Sequence, residues 1–157
     1  FGPSFTVFAP NDDAFRSILT ALITQALINQ GVPLATAITQ ATTLASTPDV
    51  FSNSALFPVL TATTVKGILA YHVLGNLTFT NNFSPSEVLT VPTLMGASVK
   101  ITAAFGTPFV TAATVKGLAN STAADIIINN LPEPNGTSDQ FYVNGVLHKI
   151  NGVLIPQ

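Results

Sequence analysis

The chain of 157 residues has the length of one domain, long enough to bury about two-thirds of its extended-chain surface. Its composition is 47% hydrophobic but only 8% charged, against about 25% charged in ordinary proteins, which excludes intrinsic disorder. Five Lys and Arg against seven Asp and Glu supply no basic surface, so we predict no nucleic-acid partner. The absence of cysteine excludes a disulfide framework and a thiolate metal site.

A short strand is predicted over residues 4–9, because this segment is rich in aromatic and β-branched residues. Asn11 or Asp12 can cap the helix that follows, because a side-chain oxygen there accepts hydrogen bonds from the free amides of the first turn. Apolar residues at helical spacing predict that this helix runs over 13–29. The uncharged stretch that continues to Pro48 is broken by polar residues, glycine and proline, so we predict no membrane span.

Two further helices complete the first half of the chain. One is predicted over 33–45 and one over 63–73. The residues of the first of these that we expect to face inward are Leu34, Ile38, Ala41 and Leu44 or Ala45.

After Gly75 the apolar residues alternate instead, which is typical of strands. A short strand is predicted over 77–80 and one helical turn over 84–87. The remaining predicted strands cover 97–103, 108–115, 124–128, 140–144, 146–150 and 153–155. Asn144-Gly145 favours a tight hairpin turn. Helices followed by strands indicate an α+β domain.

The polar residues that could carry chemistry are Asp12, Asp13, His72 and His148. Paired carboxylates could hold a hard cation, and histidines could bind a metal or act as a base. An open alternative is therefore a small metal-dependent hydrolase that uses His72, His148 and Asp12. We favour helix capping for the aspartates and hydrogen-bonded structural roles for the histidines. Because no nucleophile-elbow or phosphate-binding motif is present, we predict no catalytic residue, no cofactor and no metal.

Three motifs in a fixed order resemble the fasciclin-like domain of extracellular cell-adhesion proteins. The first runs from Phe5 to Phe15 and contains a strand that ends in Ala-Pro before a helix start. The second, Ile68 to Leu74, resembles the Tyr-His motif of that family. The third, Val143 to Pro156, is similar to its closing signature. Together the three motifs span nearly the whole chain.

The resemblance implies a single fasciclin-like domain over 1–157, with helices mostly in the N-terminal half packed on a mixed or antiparallel β-sheet wedge from the C-terminal half. Two departures from the family pattern are expected to matter. The N-terminal helix of the family is missing before the first motif. The helical stretch between the first two motifs is an enlarged insert, about 19–63, which could form a partner surface of its own.

The resemblance also implies a function, a non-enzymatic extracellular adhesion or binding module of a cell-surface or matrix protein. Tyr71 and His72 are the positions that match the family's receptor-linked region, flanked by Leu69, Val73 and Leu74. The alternative is that these side chains are core, since aromatic and aliphatic residues at helical spacing are more often buried.

The expected partner is a protein or polysaccharide at the cell surface or in the matrix, and a structural spacer in a multidomain exported protein is the other open function. The location expected is extracellular, periplasmic or cell-surface, as a secreted protein or a lipoprotein whose membrane anchor would lie outside this chain. The ligand remains open, as does the use of the four glycosylation sequons at Asn76, Asn82, Asn120 and Asn135.

Overall fold

A computed structural model describes residues 4–48, 50, 60–85, 87–106, 109–129 and 136–156. Its helices are α1 Asp12–Asn29, α2 Leu34–Ala45 and α3 Ala62–Tyr71, all in the first half of the chain. Its strands are β1 Phe5–Pro10, β2 Val73–Leu74, β3 Leu89–Pro92, β4 Ser98–Phe105, β5 Val110–Lys116, β6 Ala124–Ile126, β7 Gln140–Tyr142 and β8 Gly145–Ile150. The predicted α+β class is confirmed.

The strands form one mixed sheet in the order β2-β1-β8-β6-β5-β4-β3, with β7 paired to β8. The first strand runs parallel to β8, and the other pairs are antiparallel. The two ends of the sheet also meet, because Leu74 bridges to Thr93 and the amide of Leu94 donates to the carbonyl of Val73 over 2.8 Å. The sheet therefore curls until its outer strands are in contact, which encloses the main core.

The main core follows from the alternation of side chains along the strands. In β8, Val146, His148 and Ile150 are buried, and in β4 the same spacing buries Val99 and Ile101. Successive side chains of a strand point to opposite faces, so this alternation directs every second residue to the inside of the curled sheet. The presence of a histidine in that inward set requires hydrogen-bond partners inside the core.

The two long helices form a hairpin with a small core of its own. The first turn of α1 is capped as expected, because Asn11 Oδ1 accepts from the amide of Ala14 over 2.9 Å. The residues of the second core are Leu19, Ile23, Ala41, Ala45 and Val50. On α2 the buried stripe consists of Ala37, Ala41 and Ala45.

The predicted inward face of α2 is therefore corrected in part. Ala41 and Ala45 are buried, but Leu34 is 59% exposed and Ile38 is 47% exposed. A stripe of alanines allows the backbones of two helices to approach closely, and this close approach selects Ala37 rather than its larger neighbour Ile38 for the interface. Leu34 and Ile38 consequently lie on the solvent side, whereas Leu44 is half-buried against the second core.

Three other local predictions were wrong. Residues 77–80 form no strand, but a loop that leads into a 3₁₀ turn at Thr80–Asn82. No helical turn occurs at 84, 85 and 87, whereas Ser86 lies outside the described residues. Residues 153–155 form no strand, and the strand β3 was not predicted. In the parts of the chain described, no helix combines the length and the apolar character needed to cross a bilayer.

Candidate functional site

The second motif lies at the end of α3, where the helix meets the sheet. Tyr71 is fully buried, and its hydroxyl donates to the carbonyl of Ser98 over 2.8 Å. The same oxygen accepts from the amide of Leu118 over 2.9 Å. A Cβ atom at Gly117 would lie 2.9 Å from the Tyr71 ring and 2.8 Å from the carbonyl of Ile155, so glycine is needed beside the ring. Tyr71 therefore ties the helix to two segments of the sheet.

His72 follows as the residue that caps α3, and it is also buried. Its Nε2 atom lies 2.9 Å from the amide of Leu154, which can only donate, so Nε2 must accept. Its Nδ1 atom lies 2.8 Å from the carbonyl of Ile68 and carries the proton. Burial lowers the pKa of His72, because desolvation penalises the imidazolium, although the bond to Ile68 opposes the shift. The side chain is thus held as a neutral link to the C-terminal segment.

His148 is held in the opposite tautomer inside the main core. Its Nδ1 atom accepts from the amide of Asp139 over 3.2 Å, and its Nε2 atom donates to the carbonyl of Thr78 over 2.8 Å. The ring stacks on Phe8, with the centroids 5.8 Å apart. Burial lowers the pKa of His148, while the bond to Thr78 and the nearby Asp139 carboxylate oppose that shift.

Two further sets of hydrogen bonds, next to those of His148, fix the loop that follows β2. Thr6 Oγ1 donates to the carbonyl of Asn76 and accepts from the amide of Thr78. Asp139 accepts from both the amide and the hydroxyl of Thr80. Asp139 adopts a positive φ of 53°, a left-handed conformation in which Asp and Asn are the non-glycine residues most often found. The network therefore positions the loop after β2 against the hairpin of β7 and β8.

These positions bear directly on the interpretation of Tyr71 and His72 as a contact site. Both side chains lie inside the fold and bond to backbone groups, so the interpretation as core residues fits the structure and direct contact with a partner does not. The structural role predicted for both histidines matches their bonds. The Tyr-His motif is therefore accounted for by the burial of its side chains at this end of α3.

The residues of the hydrolase alternative do not form a metal or catalytic group. All four ring nitrogens of His72 and His148 are engaged with backbone groups. Asp12 is exposed in the first turn of α1 and borders a groove with Arg16 and Lys149 that neither histidine lines. Asp13 forms an exposed ion pair with Arg16. Within the described ranges, no group of three His, Asp or Glu side chains is placed to hold a metal ion.

The outer face of α3 is the exposed counterpart of the buried motif. A shallow depression of about 690 Å³ is bordered by a set of mostly apolar residues that we call the α3 face: Leu60, Ala62, Val65, Lys66, Leu69, Ala70 and Val73. Leu69 is 58% exposed, and Leu94, whose amide donates to the carbonyl of Val73, is also exposed. Of the flanking residues named from the sequence, Leu69 thus lies on the surface, whereas Leu74 is buried.

The sequence analysis did not identify a second apolar surface at the hairpin of β7 and β8. Phe141 and Tyr142 are exposed there, and Val143 projects fully into solvent. Phe79, from the loop after β2, stacks on Phe141 with the centroids 6.2 Å apart. The signal in the sequence was the run of three apolar residues from Phe141 to Val143. The hairpin predicted at Asn144-Gly145 forms, but its two-residue turn is Val143-Asn144, one position earlier.

The sequons occupy different environments. Asn76 and Asn82 are exposed in the loop after β2. Asn120 instead holds the C-terminal segment, because its amide nitrogen donates to Val153 and its oxygen accepts from Ile155, each over 2.8 Å. Asn135 lies outside the described residues.

Comparison with known proteins agrees with the three motifs. The profile of the fasciclin domain matches residues 2–156. A solved FAS1 domain pair from the insect cell adhesion molecule fasciclin I matches with a TM-score of 0.54 and 16% identity. The match covers 96% of this chain but only 36% of that one. A search of curated proteins finds no match. Since the family profile matches almost every residue, the chain belongs to the fasciclin domain family, whose members are modules associated with cell adhesion.

Proposed function

We propose that this chain is a non-enzymatic adhesion or binding module of an exported cell-surface or matrix protein, and that the α3 face is its contact surface. The observation that supports this most directly is the division of roles on one helix. Tyr71 and His72 have all their polar atoms bonded inside the fold, while Val65 and Leu69 face solvent. Exposed contiguous apolar surface on a soluble domain marks interaction sites.

The α3 face favours a protein as the partner. Its depression is open and its border is apolar apart from Lys66 and a few backbone groups. An apolar side chain of a partner could fill it, as anchor residues do at the centres of protein interfaces. A polysaccharide would instead require several side-chain hydrogen-bond donors and acceptors at the contact, and Lys66 alone supplies one among the residues of this face.

A purely structural spacer is the second function left open by the sequence. A spacer requires only a surface that keeps the domain soluble, and a covering of Thr and Asn would suffice. The exposure of Val65 and Leu69 together on the α3 face favours binding over this alternative.

The proposed exported location is supported by family membership and by the composition. Members of an adhesion-associated family act between cells or between a cell and its matrix. The chain also remains polar through Thr, Ser and Asn rather than through charge, since only 8% of its residues are charged.

Cell attachment tests the proposal. Plates coated with the folded domain are expected to retain suspended cells of the source organism, and the double variant Val65→Ser with Leu69→Ser is expected to retain far fewer. The matched control is Leu34→Ser with Ile38→Ser, which removes exposed aliphatic side chains from α2 instead and should preserve attachment.

Two results would contradict the proposal. Failure of the folded wild-type domain to retain any cells would favour the spacer. Equal loss with the α2 control variant would show that attachment depends on general hydrophobicity rather than on the α3 face.

A further inference from the structure

Among the described residues, the exposed aromatic side chains other than Phe15 lie at one end of the sheet. Phe5 of β1 pairs with Gly145 of β8, so the start of β1 and the turn before β8 lie at the same end. The pairings Ala103 with Ala113, Ala113 with Ile126 and Ile126 with Ile150 align the other strands. These paired residues lie side by side across the sheet. From them, β4 runs to the β4–β5 hairpin in the same direction in which β8 leads back to the β7–β8 hairpin.

We call this region the aromatic end and define it by Phe79, Phe105, Phe109, Phe141, Tyr142 and Val143. Phe109 is 73% exposed and Phe141 is 67% exposed, more than any other aromatic side chains among the described residues. Among those residues, only Phe15 is a comparably exposed aromatic side chain elsewhere.

The aromatic end is where two hairpins of the sheet close. Val143 and Asn144 form the two-residue turn between Tyr142 and Gly145, which are paired. Phe105 and Val110 are paired at the close of the other hairpin. Side chains on such projecting turns can enter a soft surface, whereas a small ligand needs a concave site lined on several sides.

Few of the described residues at this end are charged. Among the described residues of its loops and turns, the charged side chains are both acidic: Asp139, whose carboxylate is bound by Thr80, and the exposed Glu87 of the segment that also carries Phe79. Lys149 lies four residues beyond Gly145 in β8, and its Nζ is directed to the carbonyl of Gly136 at 3.4 Å. A surface that attracts anionic lipid or nucleic acid carries several Lys or Arg. The described residues of these loops therefore supply no basic charge to attract an anionic surface, which leaves a surface without net negative charge as the complement.

The part of the aromatic end formed by Phe79 and Phe141 is held in place before any contact. Asp139 joins it to Thr80 through two hydrogen bonds, and His148 joins Asp139 to Thr78. Phe79, one residue from each of these threonines, is thereby fixed on the ring of Phe141. Apolar groups that are already ordered lose little conformational entropy when they are buried.

From the position, shape and charge of these residues, we propose that the aromatic end binds the headgroup region of a zwitterionic lipid bilayer. Aromatic side chains are favoured at the interface between membrane and water, and binding there scales with the apolar area buried. The domain would lie on the bilayer through its hairpin turns. This inference does not depend on the α3 face, which lies on a helix, so each proposal can fail without the other.

Vesicle sedimentation tests the inference on the intact chain. The wild-type domain is expected to sediment with phosphatidylcholine vesicles, equally at about 0.05 and about 0.5 M NaCl, since no counterions are released. Phe109→Ser with Phe141→Ser is expected to weaken binding by about tenfold or more, because each change removes a large apolar side chain from the contact. The matched control, Leu34→Ser with Ile38→Ser on α2, should bind as the wild type does.

A fluorescence experiment covers the case in which the double serine variant does not fold. The chain contains no tryptophan, so Phe141→Trp creates a single reporter at the aromatic end, and Leu34→Trp creates one on α2. Phosphatidylcholine vesicles should shift the emission of the first reporter to shorter wavelength and leave the second unchanged.

Any of four results would overturn the inference. These are a wild-type domain that stays in the supernatant, binding that requires phosphatidylserine, equal losses in the two double variants, and a Phe141→Trp reporter that does not shift. Binding of a protein or polysaccharide by the same residues in the absence of lipid would assign the surface to that partner instead.

Discussion

The Nε2 atom of His72 lies 2.9 Å from the amide nitrogen of Leu154, a residue 82 positions further along the chain. This bond joins the last residue of the helical half to the last apolar residues of the strand half. Because Nε2 is occupied as an acceptor and Nδ1 as a donor, the imidazole is a structural cross-link and has no free nitrogen for a metal or a proton-transfer step.

Loss of this link should destabilise the domain measurably. We expect His72→Ala to lower the free energy of unfolding by about 2–4 kcal/mol, since it leaves the buried Leu154 amide without a partner and opens a cavity. His72→Gln should cost roughly half as much, because its amide oxygen can still accept from Leu154. Urea unfolding measures both values, and equal costs for the two variants would contradict a hydrogen-bonding role.

Acid should destabilise the domain through both histidines. The folded-state pKa values of His72 and His148 are lowered below their unfolded value of 6.5, so the unfolded chain binds more protons once the pH falls below about 6.5. The stabilising effect of the neutral rings is complete above that pH and is lost as the pH falls. Two such groups give a slope of up to about 2.7 kcal/mol per pH unit.

Unfolding by urea at about pH 7.5, 6.5 and 5.5 checks this expectation above the range in which most carboxylates titrate. The variant His72→Gln should show about half of the wild-type slope, because only His148 remains to titrate. A free energy of unfolding that stays constant across this range would show that the histidines do not remain neutral in the folded state.

The hydroxyl of Tyr71 should account for a further part of the stability. Tyr71→Phe leaves the carbonyl of Ser98 and the amide of Leu118 without their partner, so we expect a loss of about 1–3 kcal/mol. Thr39→Val is the control, because it also removes one hydroxyl but from an exposed position on α2. A cost for Tyr71→Phe no greater than that of the control would contradict the cross-linking role.

The sequence predicted those features that depend on local chemistry. The cap at Asn11, the α1 helix and the alternation in β8 follow from side-chain hydrogen bonding and from the repeat of apolar residues, and the structure contains each of them. Tyr71 and His72 are buried, as the alternative based on their helical spacing had it. Their partners at Ser98 and Leu154 could not be predicted, since those contacts depend on how distant segments pack.

The wrong and missing predictions also have their origin in contacts between distant segments. The segment 77–80 has the composition of a strand, but Thr78 and Thr80 bond to Thr6 and Asp139 rather than to a neighbouring strand. The strand β3 ends at Pro92 and is short, so its pattern is weak until β4 pairs with it. The aromatic end is visible only when the sheet register places two distant hairpins at one end.

The inward face of α2 gives the most direct test of structure against sequence pattern. The pattern predicted Ile38 inside, whereas the structure buries Ala37 and leaves Ile38 largely exposed. Ala37→Leu should therefore cost about 1–3 kcal/mol, because three added carbon atoms would force α2 away from α1. Ile38→Ala should change the free energy of unfolding by less than about 0.5 kcal/mol, since little buried surface is lost and alanine favours the helix. Urea unfolding measures the free energy of unfolding of both variants. If α2 were rotated to bury Ile38, then Ile38→Ala would cost more stability than Ala37→Leu, the reverse of the expected order. Since Ala37 and Ile38 are adjacent, differences in local helix fraying cannot explain such a reversal.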